Sequence, residues 1–194
     1  MKKWIIVLVL AVSAIAGGYA QTEMEEMRGF LFQVGLGAAT VEYDSTTEAE
    51  IDIYKAAGYD RMTIYLDLGL GFAITQKAYL LFSISGTGDR LEKSADDYLQ
   101  LNTCLFAGGV RYYPFTTGLV LGADIGGARA VTQFGGGTSD ITSDWGNGYR
   151  FMIGYDFARR LRGFTGILGL AITGSTIEDE TINSAQIYFD LAWK

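Results

Sequence analysis

The chain has 194 residues, with 26 Gly, one Pro, one Cys and no His, and its 22 acidic against 15 basic side chains leave a formal net charge of −7. That length fits one domain, and the acidic balance argues against nucleic acid, whose phosphates call for a basic footprint. A lone Cys104 excludes a disulfide framework. After the first twenty residues no stretch reaches eighteen consecutive apolar positions, which excludes a helical membrane span.

Residues 1–20 read as an export signal, with basic Lys2 and Lys3, an apolar core from Trp4 to Ala16 and a small-x-small site at Gly18-Tyr19-Ala20. Residues 21–194 then form a single domain with 13 basic and 22 acidic side chains, a net −9. An acidic leader (Glu23, Glu25, Glu26) precedes a first strand, in which Phe30, Phe32, Val34, Leu36 and Ala38 alternate with Leu31, Gln33, Gly35, Gly37 and Ala39. Tyr43 to Asp60 reads as a long acidic connection, with strand extensions expected around Ile51-Asp52-Ile53-Tyr54.

From Met62 to Ile74 every even position is apolar, whereas the odd ones read Thr63, Tyr65, Asp67, Gly69, Gly71 and Ala73. After Thr75-Gln76-Lys77 the alternation resumes with Leu80, Phe82 and Ile84, so strands two and three form a hairpin. A soluble sheet coats its wet face with Lys and Glu. Here the polar face is Gly, Ser, Thr and Tyr with an occasional Asp or Arg, the lining of a narrow barrel whose apolar outside meets lipid.

Gly88 to Asp97 reads as a second charged loop. Strand four runs from Tyr98 to about Tyr113, with Leu99, Leu101, Thr103 and Leu105 on one face and Gln100, Asn102 and Cys104 on the other. A bulge at Ala107-Gly108-Gly109 would swap these faces, so the pattern does not orient Arg111. Pro114 to Gly118 is a tight turn before strand five (Leu119, Leu121, Ala123, Ile125), and a third loop spans about Ala130 to Asp144 with its Gly135–Gly137 tip. Strand six carries Tyr149, Phe151, Ile153, Tyr155 and Phe157 and ends in the basic turn Arg159-Arg160-Leu161-Arg162. Strand seven has Phe164, Leu168, Leu170 and Ile172. A loop through Glu178-Asp179-Glu180 leads to strand eight, with Ala185, Ile187, Phe189, Leu191 and Trp193.

The expected fold is all-β: an eight-stranded antiparallel up-and-down transmembrane β-barrel. Its first, third, fifth and seventh connections are long and polar and the others short, the asymmetry of outer-membrane barrels. The lysines after the signal (Lys55, Lys77, Lys93, Lys194) fall in loops, a turn or the terminus. The mid-strand charges Asp67, Asp124, Asp156, Asp190 and Arg150 all share the face assigned to the interior.

This pattern resembles the small outer-membrane barrels of the OmpA/OmpX/OmpW type, over essentially all of residues 21–194. The most family-like words are Gly109-Val110-Arg111-Tyr112-Tyr113-Pro114, followed by Leu119 to Gly127. The final strand also resembles the family's C-terminal assembly signal, although Trp193 is followed by Lys194 where members end on an aromatic residue. The resemblance implies the cell outer membrane of a diderm bacterium, and contact with outer-membrane lipids and the barrel assembly machinery. Lipid-modifying members rely on a His acting with a Ser. The absence of His, and of any Ser-x-x-Lys pair, argues that this chain is not an enzyme.

Asp67, Asp124, Asp156, Asp190, Arg150, Arg111 and Arg61 form either a proton or ion path or a lumen-filling charge network; the network is the expectation, because eight strands leave room for little but side chains. Phe30, Tyr43, Tyr112, Tyr113, Phe115, Trp145, Tyr149, Phe157 and Trp193 are candidates for interfacial girdles. The acidic loops lack EF-hand spacing and read as solvated surface rather than calcium sites. Gly35-x-Gly37 and Gly69-x-Gly71 precede no helix and are not phosphate loops. The expected role is structural or surface-interacting, through four long acidic external loops, in a monomer without a cofactor. A narrow channel for small hydrophobic solutes of the OmpW type is the alternative. A soluble lipocalin-like lipid carrier is a third reading and requires the opposite facing of the strands.

Overall fold

Period-two patterning this long can satisfy its backbone only by pairing, and with no edge left free if the outside is lipid. A computed structural model, describing residues 29–135, 140–159 and 163–194, shows that closure. The strands are β1 (Phe30–Glu42), β2 (Asp60–Thr75), β3 (Ala78–Ser94), β4 (Asp97–Tyr112), β5 (Leu119–Phe134), the two-residue β6 (Ile141–Thr142), β7 (Gly146–Asp156), β8 (Phe164–Ile177) and β9 (Glu180–Trp193). All neighbours are antiparallel in the order β4-β3-β2-β1-β9-β8-β7-β5, and β5 pairs back to β4, giving a closed eight-stranded up-and-down barrel. β6 adds only a short pairing to Val131 and Thr132 near the end of β5. The export signal and acidic leader lie outside the described residues, as do Gly136 and Gly137 of the glycine tip and Arg160 to Arg162 of the basic turn.

The facing of the strands separates membrane barrel from lipid carrier. Leu66, Ile125, Ile153 and Leu191 are 58, 75, 48 and 43% exposed on the outside, whereas Asp67 and Asp124 are buried inside at 3 and 4%. This facing is the opposite of the one a lipocalin-like carrier requires. A continuous belt of Phe, Leu, Ile and Val surrounds the barrel, and burial of polar groups fills it.

Three local expectations are also corrected, and the open question of a bulge in strand four is decided. Residues 45–56 form a helix, α1 (Ser45–Ala56), instead of strand extensions. Asp44 caps it by accepting from the Thr47 amide at 2.9 Å, and Gly58, at φ +88°, lets the chain turn away from its end. The Ile51-Asp52-Ile53 alternation mimics a strand, yet Ile51 alone of the three is buried. Second, the connections β3–β4 and β8–β9 are two-residue turns, so the mouth carries two long connections and not four. At β8–β9 both Glu178 and Asp179 take positive φ (50° and 69°), the geometry of a tight hairpin matched to strand twist. The residues expected in loops extend the strands beyond the belt.

Third, β4 carries no bulge at Gly108. Its register with β3 runs unbroken from Tyr112 to Tyr98, which puts Arg111 inside. It also puts Leu99, Thr103 and Leu105 inside and Gln100, Asn102 and Cys104 outside, because this half of β4 stands above the belt, where Leu99 packs with Leu91 and Ile51 of α1 under the mouth. Fourth, the third loop is shortened, since β5 continues to Phe134.

The wall parts near the mouth. β1 and β2 pair only as far as Ala38 and Ile64, while β1 continues along β9 to Glu42 and β2 along β3 to Asp60. α1 is the connection across that parting.

Candidate functional site

Inward charges are held in three layers. In the middle layer Asp124 and Arg150 are direct cross-strand partners on β5 and β7. Arg150 Nη2 lies 2.6 Å from Asp124 Oδ2, and its Nη1 lies 2.9 Å from Asp67 Oδ1 on β2. Arg111 of β4 donates to both Asp124 oxygens, at 2.6 and 3.1 Å. Gln33 Nε2 donates to Asp67 at 2.8 Å, and Arg150 also donates to the Tyr65 hydroxyl. Two guanidiniums thus face three carboxylates, and the third, Asp190, is 0% exposed with no hydrogen bond to either oxygen among the described residues.

Glycine makes this layer possible through close approach. A Cβ at Gly109 would lie 1.7 Å from Asp124 Oδ1, and one at Gly35 would lie 1.8 Å from Asp190 Oδ1, with Asp67 Cβ at 3.5 Å on its other side. Any larger residue at either position would occupy the volume of a carboxylate.

At the end where β1 begins and β9 finishes, Asp156 gathers a second layer. It accepts from the Tyr113 hydroxyl (3.0 Å), Thr165 Oγ1 (2.6 Å), the Ala158 amide (3.1 Å) and Lys194 Nζ (2.5 Å). The Arg159 guanidinium lies 4.2 Å from the Tyr113 ring centre. Tyr113 is therefore a correction to the expected girdle: it is 1% exposed and plugs the lumen, since its neighbour Tyr112 takes the outward position. Phe30, Tyr112, Phe157 and Trp193 do point outward around that rim, and Trp145 and Tyr149 point outward at the opposite one. Phe115 is exposed in the β4–β5 turn.

The third layer closes the mouth. Asp89 of β3, fully buried, accepts from Arg61 Nε and Nη2 (3.0 and 2.7 Å), Thr63 Oγ1 (2.9 Å) and the Tyr43 hydroxyl (3.2 Å). Arg61 Nη2 also donates to the Val41 carbonyl at 2.9 Å, stapling β2 to β1 where their pairing has ended. Burial and the adjacent Asp89 push the Tyr43 hydroxyl well above its ordinary range, and the hydrogen bond to Asp89 raises Arg61 further. Tyr43 is thus an interior residue rather than a girdle one. By sequence alone Asp89 reads as loop and Lys194 as a free terminus. The parity Ser83, Ser85, Thr87, Asp89, Leu91, carried past Gly88, is the signal that places Asp89 inside.

Between the middle and mouth layers, the void bounded by Tyr65, Ser85, Thr103, Ser175 and Gln186 is about 10 Å3, the space of one water. Tyr65, Tyr79, Tyr188, Leu31, Met152 and Ile167 fill the lumen between the charged layers. Among the described residues there is no cluster of three or more metal-ligating side chains.

No protein-family model matches the chain, and no curated protein matches it significantly. Its fold is similar to that of solved outer-membrane barrels. Neisserial surface protein A, at 14% identity, matches over 85% of this chain and 96% of its own, with a TM-score of 0.61. Ail, the attachment invasion locus protein of Yersinia pestis, matches at 13% identity over 86% of this chain and all of its own, with TM-scores of 0.56 in complex with the heparin analogue sucrose octasulfate and 0.53 without it.

Proposed function

We propose that this chain is an exported outer-membrane protein, with residues 1–20 as its signal, whose barrel is an occluded anchor for an acidic interaction surface. The observation that carries the reading is the combination of an apolar outer belt with a lumen closed by three charged layers. A barrel filled in this way holds its shape in lipid and conducts nothing. The likeness of its fold to Neisserial surface protein A and Ail supports the location.

Charge is partitioned along the axis. After residue 28, every Asp and Glu other than Asp67, Asp124, Asp156 and Asp190 sits at the mouth, where the basic residues among those described are Lys55, Arg61, Arg90, Lys93 and Arg129. Lys77, Arg159 and Lys194 lie at the other end. A mouth of this sign repels polyanions such as the sulfated ligand seen on Ail and attracts cationic partners. The sequence has no His to act with a serine, and the reading is therefore non-enzymatic.

Three measurements test it. The expressed protein should fractionate with outer membranes, and the refolded protein should migrate differently on gels when unheated and give no discrete conductance steps in planar bilayers. Regular unitary currents would replace the occluded anchor with the narrow-channel alternative, and recovery in the soluble periplasmic fraction would remove the membrane assignment.

A further inference from the structure

α1 fills the mouth on one side only. Ile51 packs on Leu91 and Leu99. On the β5 and β9 side a cleft of about 250 Å3 remains between the helix and the inner wall. Thr47, Glu50, Ile51 and Tyr54 line it from α1, at the spacing of a single helical face. Opposite stand Leu101, Ala130 and Phe134, with Ile182 also contributing and Tyr43 and Glu180 at its edges.

The lining has a mainly apolar wall with Thr103 and Thr132 among its side chains, two tyrosines held in place, and carboxylates without any basic group. Tyr43 is fixed by its bond to Asp89, and Tyr54 packs edge-on against Tyr59 with ring centres 5.1 Å apart. Glu50 and Glu180 have no ion-pair partner among the described residues, and the cations of the mouth are engaged elsewhere: Lys55 with Asp52, Arg61 with Asp89, Arg90 with Glu92, Arg129 with the Ser143 carbonyl, and Lys93 over the Tyr59 ring. Partial burial and the charges of Asp44, Glu178 and Glu50 raise the Glu180 carboxyl above its ordinary range. Carboxylates beside aromatic faces and an apolar wall are the chemistry that receives an amphipathic cation. The volume is below the roughly 300–1,000 Å3 of drug-sized pockets, which suits one ring or a short branched chain.

We propose that the cleft between α1 and the β4–β5 wall binds a small organic monocation, an aromatic or alkyl amine, with its apolar part against Leu101, Phe134 and Ile182 and its ammonium toward Glu50 and Glu180. This rests on the reading of the mouth as an acidic interaction surface and names the ligand class it takes.

The experiment uses the refolded full chain in detergent micelles, with barrel formation verified by heat-modifiable migration. Phenethylamine is titrated by calorimetry and ligand-observed NMR. Phenylacetate and phenethyl alcohol, which keep the ring and change the charge, are the comparison probes. Phenethylamine should bind saturably and phenylacetate should not. The double variant Glu50→Gln, Glu180→Gln should weaken phenethylamine by at least about tenfold, the loss of one charge-assisted contact. Leu101→Trp, which fills the cleft, should abolish binding in a barrel that still shifts on heating. Equal binding of phenylacetate, undiminished binding by the Gln pair, or no saturable binding to a correctly folded barrel would overturn the assignment. Failure of the wild-type chain to form a heat-modifiable barrel would instead strike the anchor reading beneath it.

Discussion

Asp190→Asn should make the barrel more stable, although it alters a fully buried residue. The middle layer holds Asp67, Asp124 and Asp190 against Arg111 and Arg150, and both guanidiniums are committed to the first two. A buried carboxyl without close partners costs several kcal/mol as an ion and otherwise has to take up a proton, and Asp190 accepts no hydrogen bond among the described residues. The amide keeps the volume over Gly35, never carries the charge and brings two donors beside Asp67, whose Oδ1 accepts no well-formed hydrogen bond among the described residues. The expected gain is about 1–3 kcal/mol. Arg150→Met is the opposite arm: it strips a partner from both Asp67 and Asp124 and should cost about 3–5 kcal/mol. Equilibrium urea unfolding in lipid vesicles, followed by tryptophan fluorescence, measures both. Adding Asp190→Asn to Arg150→Met should recover part of the loss, because the two positions share one network. If Asp190→Asn alone loses more than about 1 kcal/mol, Asp190 is a required partner and the unequal charge count in this layer has been misread.

Gly35→Ala places a methyl 1.8 Å from Asp190 Oδ1 and should slow or block refolding; pairing it with Asp190→Ala should restore heat-modifiable migration. Leu68→Arg lies on the outer belt between Val34 and Ile84 and should cost about 2–4 kcal/mol in bilayers, whereas Ile53→Arg on the exposed face of α1 should stay within about 0.5 kcal/mol. Similar costs at the two sites would deny that the belt meets lipid. Glu180 has its carboxyl raised in the folded barrel, so the fold binds more protons than the unfolded chain and stability falls as pH rises from the ordinary carboxylate range through the raised one. Glu180→Gln should flatten that part of the melting-temperature profile, an effect kept small by solvent at this exposed turn.

The barrel was legible because its signal is repeated along every strand: an apolar row of full membrane length with small or uncharged neighbours. Asp67, Asp124, Asp156, Asp190 and Arg150 were placed inside by parity alone, and each is buried there. Where parity was interrupted, legibility ended. Gly108-Gly109 suggested a bulge, but ladder pairing tolerated both glycines, and only the β3 register orients Arg111 toward Asp124. The mouth was misread for another reason. Above the lipid belt the solvent outside is water, so the rule of apolar outside and polar inside reverses; Leu99 and Leu91 then point in, Arg90 and Gln100 point out, and charged strand ends look like loops. α1 was hidden because the two isoleucines flanking Asp52 match a strand period, while the residues that make it a helix, Asp44 as cap and the face through Thr47, Ile51 and Tyr54, are spread over three turns. Tyr113 could not be separated from Tyr112 by composition, since the face of one decides the face of the other.

The three inward layers also bear on why a channel is the weaker reading. Solute entering at the mouth meets Asp89 and Arg61 first, then the Arg111–Asp124–Arg150–Asp67 layer, then Asp156 with Lys194 and Tyr113, with tyrosine rings between the lower two. Each layer draws on a different set of strands: β2 and β3 at the mouth, β2, β4, β5 and β7 in the middle, and β7 with Lys194 just after β9 below. No single hinge or loop movement displaces all of them. Opening any one exposes buried charge without creating a path, because the next remains shut. What moves at low cost lies above the belt, where β1 and β2 have parted and α1 leans on Leu91 and Leu99. A ligand bound in the proposed cleft would therefore change the mouth, and the strands below it would serve as its fixed base.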